Sequence, residues 1–265
     1  MIRRYFTTIV TAAFLTVLVA SPASAIRPRP PELFKIQGDS QSLAAVIFPL
    51  KETFQSENKM PLLIIAEQSA VKGLADVDSG IGDALVVAMS FEELNRLATE
   101  AGLERRNKAL TQHSVLLPEV AYNVIVNPAN PVSKLSEKEL HRIFSGKYKE
   151  WDDVDGPKAP VAVVWGEWST GASWILADKI MDGEPITNIR VKAKSVADIV
   201  AKVASDPNAI GIIPSSGLTN AVKAIATPEL KISGPIIMVT VGFPTTKHFQ
   251  LIKLLKGDGQ QLIGY

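Results

Sequence analysis

The chain has 265 residues, 46% of them hydrophobic and 21% charged, with a formal net charge of +1 and no cysteine. That length is enough to bury one large core or two modest ones. The balanced charge excludes the concentrated basic surface of a nucleic-acid-binding protein. The missing cysteines exclude disulfide frameworks, thiolate metal sites and cysteine nucleophiles.

Met1–Ala25 reads as an export leader. Arg3 and Arg4 form a positive start, Thr8–Ala20 is mostly apolar, and Ala23-Ser24-Ala25 supplies a small-x-small cleavage pattern. The apolar run is shorter than the ~20 residues a membrane-spanning helix requires. Cleavage after Ala25 leaves 26 basic against 27 acidic side chains, a net charge of −1. The expected destination is a bacterial periplasm. With no cysteine behind the apolar run, no lipid anchor is expected.

Arg27–Pro31 is Pro-rich and expected to be extended. Leu33–Gln37 alternates as a strand does, and Gly38-Asp39-Ser40-Gln41-Ser42 reads as a turn cluster. Leu43–Phe54 has helical spacing, with Pro49 marking a helix start or kink. A strand over Leu62–Ala66, a helix from Ser69 to Asp78, a strand over Ala84–Ala88 and a helix over Phe91–Ala101 follow. The valine-rich run Val115–Val126 predicts a long strand broken by Pro118 and ended by Asn127-Pro128-Ala129-Asn130-Pro131. Ser136 and Glu139 form a capping box for a helix whose apolar face is Leu140, Ile143 and Phe144, and Gly146 closes it.

The spacing then predicts a strand over Val161–Trp165, a helix over Ala172–Met181, and a helix over Val196–Ala204 capped by Ser195. Strands over Ala209–Ile213 and Ile236–Val241 and a final helix from Lys247 to Lys256 complete the series. Strands alternating with helices throughout imply an α/β fold. No sequence repeat and no flexible linker divides the chain, so two lobes would have to be joined by ordered strands.

Catalytic signatures are missing. There is no Gly-x-Ser-x-Gly elbow, no phosphate-cradling Gly-Lys-Ser/Thr loop and no His-Glu-x-x-His. His113, His141 and His248 are scattered, so no metal or cofactor is expected. Glu92-Glu93 and Asp152-Asp153 read as solvated pairs, and His141 as a surface residue.

What recurs is a small hydroxyl residue between a strand and a helix: Ser40 and Ser42, then Ser69, then Ser90, then Ser169, Thr170 and Ser173. In open α/β sheets, ligands bind outside the carboxyl ends of strands. There, free N–H groups and the helix dipole favour an anion. Ser and Thr are also ordinary helix caps. Both readings stand, and four such loops point toward a shared anion-binding cleft.

One block is more specific. Asn127-Pro128-Ala129-Asn130-Pro131-Val132, then Leu135-Ser136-Glu137-Lys138-Glu139-Leu140-His141-Arg142-Ile143-Phe144-Ser145-Gly146-Lys147, then Trp151, resembles the periplasmic phosphate-binding proteins of ABC importers, the PstS-like family. Gly38–Ser42 and Ser69–Gly73 are similar to the family's first two binding loops, and Ser169-Thr170-Gly171-Ala172 to its Gly-Ser-Gly-Thr loop. Ala209–Ile213 and Gly259–Tyr265 are similar to its Ala-Ile-Gly-Tyr strand and C-terminal segment.

The resemblance implies a type II periplasmic binding protein: two α/β lobes joined by two crossing strands, with a ligand cleft between them. Lobe 1 would comprise 26–118 plus 220–265, and lobe 2 would comprise 119–219. It implies a non-enzymatic monomer that captures phosphate or a similar small oxyanion and hands it to an ABC permease. The implied ligand contacts are Ser42, the Leu43 amide, Ser69, Ser90, Thr170, the Gly171 amide and Ser173.

Three places depart from the family pattern, and one is the third loop, often Ser-Arg or Ser-Asp in the family, which reads Ser90-Phe91-Glu92 here. Gly166 stands where an Arg usually precedes the fourth loop, and the Ser-Gly-Thr of that loop reads Thr170-Gly171-Ala172. Losing a bidentate Arg removes a strong contact to an oxyanion. Glu167 would repel an anion, while Trp168 and Trp174 offer an apolar wall or core packing. The alternative reading is therefore a diverged binding fold whose degenerate cleft acts as a sensor or interaction module, or takes a different small ligand.

Overall fold

The computed structural model describes residues 32–166, 170–182, 184–228 and 230–263, the side chains of Thr170 and Ser173 excepted. The expected leader over Met1–Ala25, its cleavage site, and the Pro-rich segment to Pro31 lie outside that range, as do Glu167, Trp168 and Ser169.

The strands are β1 (Phe34–Gly38), β2 (Leu62–Glu67), β3 (Ala84–Val87), β4 (Thr111–Val126), β5 (Ala162–Gly166), β6 (Val191–Ala193), β7 (Ala209–Pro214), β8 (Lys223–Ala224) and β9 (Ser233–Val241). They join in the order β2-β1-β3-β9-β4-β7-β5-β6, with β8 beside β4. Two halves share one plan. In the first, β1 runs parallel to both β2 and β3, and β9 closes antiparallel on β3. In the second, β5 runs parallel to both β6 and β7, and β4 closes antiparallel on β7.

The sixteen-residue strand β4 links them. It pairs with β9 through Thr111–Ala121 and with β7 through Tyr122–Val126. Pro118 does not break it, contrary to the sequence expectation. The proline instead coincides with register shifts between Val115, Leu117 and Val120, so its missing N–H is absorbed by an irregular ladder.

The helices are α1 (Ser40–Ser42), α2 (Phe48–Asn58), α3 (Ala70–Asp78), α4 (Phe91–Glu100), α5 (Glu137–Phe144), α6 (Thr170–Lys179), α7 (Val196–Ser205) and α8 (Thr246–Lys256). A π-helical segment, Leu43–Ile47, joins α1 to α2, and the Phe48 amide donates to the Leu43 carbonyl across it. Pro49 follows directly at the start of α2, and the π-helical step before it marks where the regular ladder is interrupted. The expected turn over Gly38–Ser42 is corrected here, because Asp39 caps a helix that already begins at Ser40.

Parallel strands covered on both faces should read as apolar runs, and they do. β3 is buried at every position (Ala-Leu-Val-Val), and so is β7 (Ala-Ile-Gly-Ile-Ile-Pro). Phe34, Phe54, Phe144 and Trp151 are fully buried in one large core. Leu74, Leu85 and Leu94 build a second cluster in the first half, and Ile199, Val203 and Ile213 a third in the second.

The Asn-Pro-Ala-Asn-Pro block is structural. Asn127 Oδ1 accepts from the Ala129 amide at 2.9 Å, and its Nδ2 donates to the Ala204 carbonyl at 2.8 Å. Asn130 Oδ1 accepts from the Val132 amide at 3.0 Å, and Trp151 Nε1 donates to the Asn208 carbonyl at 3.0 Å. The capping box of Ser136 and Glu139 is present, and Gly146 takes the left-handed conformation (φ 78°) that closes α5. His141 is half-buried rather than a free surface residue, with Nε2 3.5 Å from Glu184 Oε2.

Candidate functional site

With β1 central among parallel neighbours, the connection from β1 to β2 leaves on one side and the connection from β2 to β3 crosses to the other. The β1/β3 boundary is thus a topological switch point, where a crevice forms beyond the strand ends. β5 stands in the same relation to β6 and β7. Chain follows each central strand into a helix, α1 in the first half and α6 in the second.

At the first switch point Gly38 brings β1 hard against β3. A Cβ on it would lie 2.3 Å from the Val86 carbonyl oxygen. Asp39 follows, fully buried, and its carboxylate accepts from both Ser42 and Ala88. The Ser42 amide donates at 3.0 Å, the Ser42 hydroxyl at 2.6 Å and the Ala88 amide at 3.0 Å. The Leu43 amide donates to the Asp39 main-chain carbonyl at 3.0 Å. Ser42 and Leu43, both expected as ligand contacts, are therefore fully buried and engaged with Asp39.

Next to them, Gln41 Nε2 donates to the Tyr122 hydroxyl, across 81 positions of sequence. Gly171, in the first turn of α6, reaches the same place from the second half. A Cβ there would lie 2.6 Å from Ala88 Cβ, 2.7 Å from Tyr122 Oη and 2.9 Å from Gln41 Oε1. Only a residue without a side chain fits this approach. The structure thus brings together the Asp39–Leu43 loop, the end of β3, Tyr122 on the linking strand and Gly171. A cavity of about 250 Å³ opens beside Gln41, lined also by Ala44, Pro49, Val196 and Pro214.

The other expected contacts fall differently. Ser69 Oγ accepts from the Lys72 amide at 3.4 Å and caps α3, and Ser90 Oγ accepts from the Glu93 amide at 3.1 Å and caps α4. Ser90 lies two residues beyond Ala88 and so borders the crevice in sequence. Gly166 is buried at the end of β5. Glu92 is exposed on the first turn of α4. Trp174 packs into the core, where a Cβ on Gly234 would meet its ring at 3.0 Å, so it is a packing residue. The side chains of Thr170 and Ser173, and Glu167 and Trp168, lie outside the described residues.

Sequence reasoning placed Asp39 and Gln41 in a binding loop without giving either a role, and missed Ala88 and Tyr122. The only local signal was Asp39 itself, an Asx residue three positions before Ser42, which is the spacing of a cap. Gln41 and Tyr122 carry no motif. Among the described residues no cluster of His, Asp and Glu could hold a metal ion, and no helix is long and apolar enough to cross a membrane.

Comparison with known proteins places this geometry. Over 186 residues the chain is 28% identical to the phosphate-binding protein PstS of Bacillus subtilis (strain 168). The match covers 68% of this chain and 57% of that protein, so the chain spans little more than half of its relative's length. An ABC-type phosphate transport receptor from Vibrio cholerae superposes with a TM-score of 0.67 at 20% identity, over 88% of this chain and 97% of that one. A candidate phosphate ABC transporter substrate-binding protein from Clostridium perfringens, solved with phosphate bound, superposes with a TM-score of 0.71 at 21% identity, over 87% and 96%. The architecture is accordingly the two-lobed, mixed α/β type II periplasmic binding fold. A family model described as the PBP superfamily domain matches residues 25–262, and the chain belongs to that superfamily.

Proposed function

We propose that this chain is a receptor, not an enzyme, that captures phosphate or a similar small oxyanion and presents it to an ABC-type permease. The observation that carries the reading is the meeting of two switch points. The Asp39–Leu43 loop, the Ala88 end of β3 and the first turn of α6 at Gly171 converge on one place. Each is a strand end or helix start rich in N–H donors. The similarity to phosphate receptors supports the choice of ligand.

The proposed contacts are Ser42, Leu43, Ser69, Ser90, Thr170, Gly171 and Ser173. Export through a leader cleaved after Ala25 would place the protein in the periplasm as a monomer. The proposed lobes are 26–118 plus 220–265 and 119–219, with β4 and β9 as crossing strands. Pairing of β8 with Ile125 and Val126 favours moving the second crossing toward Ser233. Hinge closure would shut the cleft over the anion and strengthen each hydrogen bond by excluding water. With a mature net charge of −1, capture depends on local donors and not on a global field.

Calorimetric titration of residues 26–265 with phosphate, sulfate, molybdate and small organic acids tests the reading. Saturable phosphate binding that weakens at least tenfold in Ser42→Ala and in Thr170→Ala is expected. A folded protein that binds none of these ligands overturns it.

A further inference from the structure

The meeting point of the two halves is closed by side chains of the protein itself. Gln41 is 2% exposed and Tyr122 6% exposed, and Nε2 of the first donates to the hydroxyl of the second. Tyr122 sits where β4 changes partner. Ala121 is the last residue paired with β9, and Tyr122 pairs with Pro214 of β7. A bond to its hydroxyl therefore ties the first-half loop to the strand position about which the halves would turn. The other end of the same carboxamide reaches the second half, because Gln41 Oε1 lies 2.9 Å from where a Cβ on Gly171 would stand. Gly171 is in the first turn of α6, whose N–H groups have no partner within the helix. Glutamine carries a donor and an acceptor on one group, so a single neutral side chain can serve both sides. A hydrogen bond buried in this way is shielded from water and is stronger than an exposed one.

We propose that Gln41 is a latch that holds the two halves together with no ligand bound, and that its release controls ligand entry. The carboxamide stands between the Asp39–Leu43 loop and the first turn of α6, the two places from which donors would reach an oxyanion. An oxyanion entering there displaces it, so only the unlatched fraction of the protein is competent to bind. The latch follows from the contacts of Gln41, whereas the identity of the displacing ligand rests on the receptor reading.

X-ray scattering and calorimetry test the two parts separately, with inorganic phosphate as the probe. Wild type should have the same radius of gyration with and without phosphate. Gln41→Ala should be larger without phosphate and contract when it is added. It should also bind phosphate at least tenfold more tightly than wild type, since no carboxamide has to leave. Tyr122→Phe keeps the ring and removes only the hydroxyl. It should shift both readouts in the same direction by less, and it decides the matter should Gln41→Ala fail to fold.

A ligand-free wild type that is expanded and contracts on phosphate overturns the latch and leaves the receptor reading standing. So does phosphate binding by Gln41→Ala that is no tighter than that of wild type. Expansion of both variants with no phosphate binding by any form supports the latch and removes the receptor reading. Ligand-free variants as compact as wild type overturn the latch whether or not phosphate binds.

Discussion

In the first half of the sheet, β1 lies between parallel neighbours and its carboxyl end leads through Asp39 into α1. In the second half, β5 holds the same place and its carboxyl end leads toward Gly171 in α6. The first crevice is filled by a buried carboxylate that ties Ser42 to Ala88. The second contributes a residue with no side chain, pressed against Gln41, Ala88 and Tyr122. One half thus supplies charge and the other supplies close approach. The lesson is that a shared topology fixes where a crevice forms, while single residues at the strand ends decide what can enter it.

The largest expected effects come from the cores that hold each half in shape. Leu74 in the first and Ile199 in the second are buried at the centres of separate clusters. Substituting either with Ala should cost about 2–5 kcal/mol in a denaturant titration. A single shared transition in both variants would show that the linking strand β4 couples the halves. Two transitions, each shifted by its own variant, would break the comparison into independent units.

Next in size is Gly171→Ala. The added Cβ meets Ala88, Tyr122 and Gln41 inside 3.0 Å, and overpacking of this kind costs on the order of 1–3 kcal/mol. Because the strain falls between the halves, we expect a larger radius of gyration by X-ray scattering. A variant as compact as wild type would show that the approach has slack.

Acid should separate the halves by pH range. In the first, His248 is buried, and burial pushes its pKa below 6.5. Its Nδ1 accepts from the Thr245 amide at 2.9 Å and its Nε2 faces the Asp83 carbonyl, with Lys247 alongside. The folded state therefore holds the neutral ring. Its stabilisation is complete above the unfolded value near 6.5 and is lost as pH falls through the lower folded value. In the second half, Glu139 is held below its ordinary 4.5 by the Ser136 hydroxyl and amide, so its contribution is lost only in more acidic solution. Hydrogen exchange measured down a pH series should loosen α8 and β1 before α5. The reverse order would contradict this assignment, and His248→Gln should flatten the first phase.

The smallest effects concern caps, one from each half. Ser69 accepts from the Lys72 amide at 3.4 Å and Ser195 from the Asp198 amide at 3.2 Å. Alanine at either should cost ~1 kcal/mol by thermal unfolding. If Ser69→Ala also lowers phosphate affinity tenfold while Ser195→Ala does not, Ser69 serves the ligand as well as the helix.

Local rules made much of the fold legible. The Ser136–Glu139 capping box, the left-handed Gly146 and the caps at Ser69, Ser90 and Ser195 each follow from a few adjacent residues. The block most like a known family, Asn127–Trp151, proves to be turn and core chemistry remote from the crevice. It could therefore reveal the fold without revealing the ligand. β6 and β8 escaped notice because three and two residues are too few to set a period. β4 begins at Thr111, four residues before the valine-rich run, because pairing with β9 extends it through polar positions. The site was the least legible part. The Gln41–Tyr122 pair and the Ala88 contact join residues that tertiary folding alone makes neighbours.

The π-helical segment Leu43–Ile47 has a consequence for how the first loop can be remodelled. Such a segment amounts to one residue inserted into an α-helix. One residue of α-helix corresponds to about 100° of rotation. Deleting a single residue between Leu43 and Ile47 would therefore leave the buried face of α2 in place and swing Asp39 and Ser42 about 100° around the axis. The direction in which the first loop points is thus set by chain length between Asp39 and Pro49, and changing that length would break the tie between Asp39 and Ala88.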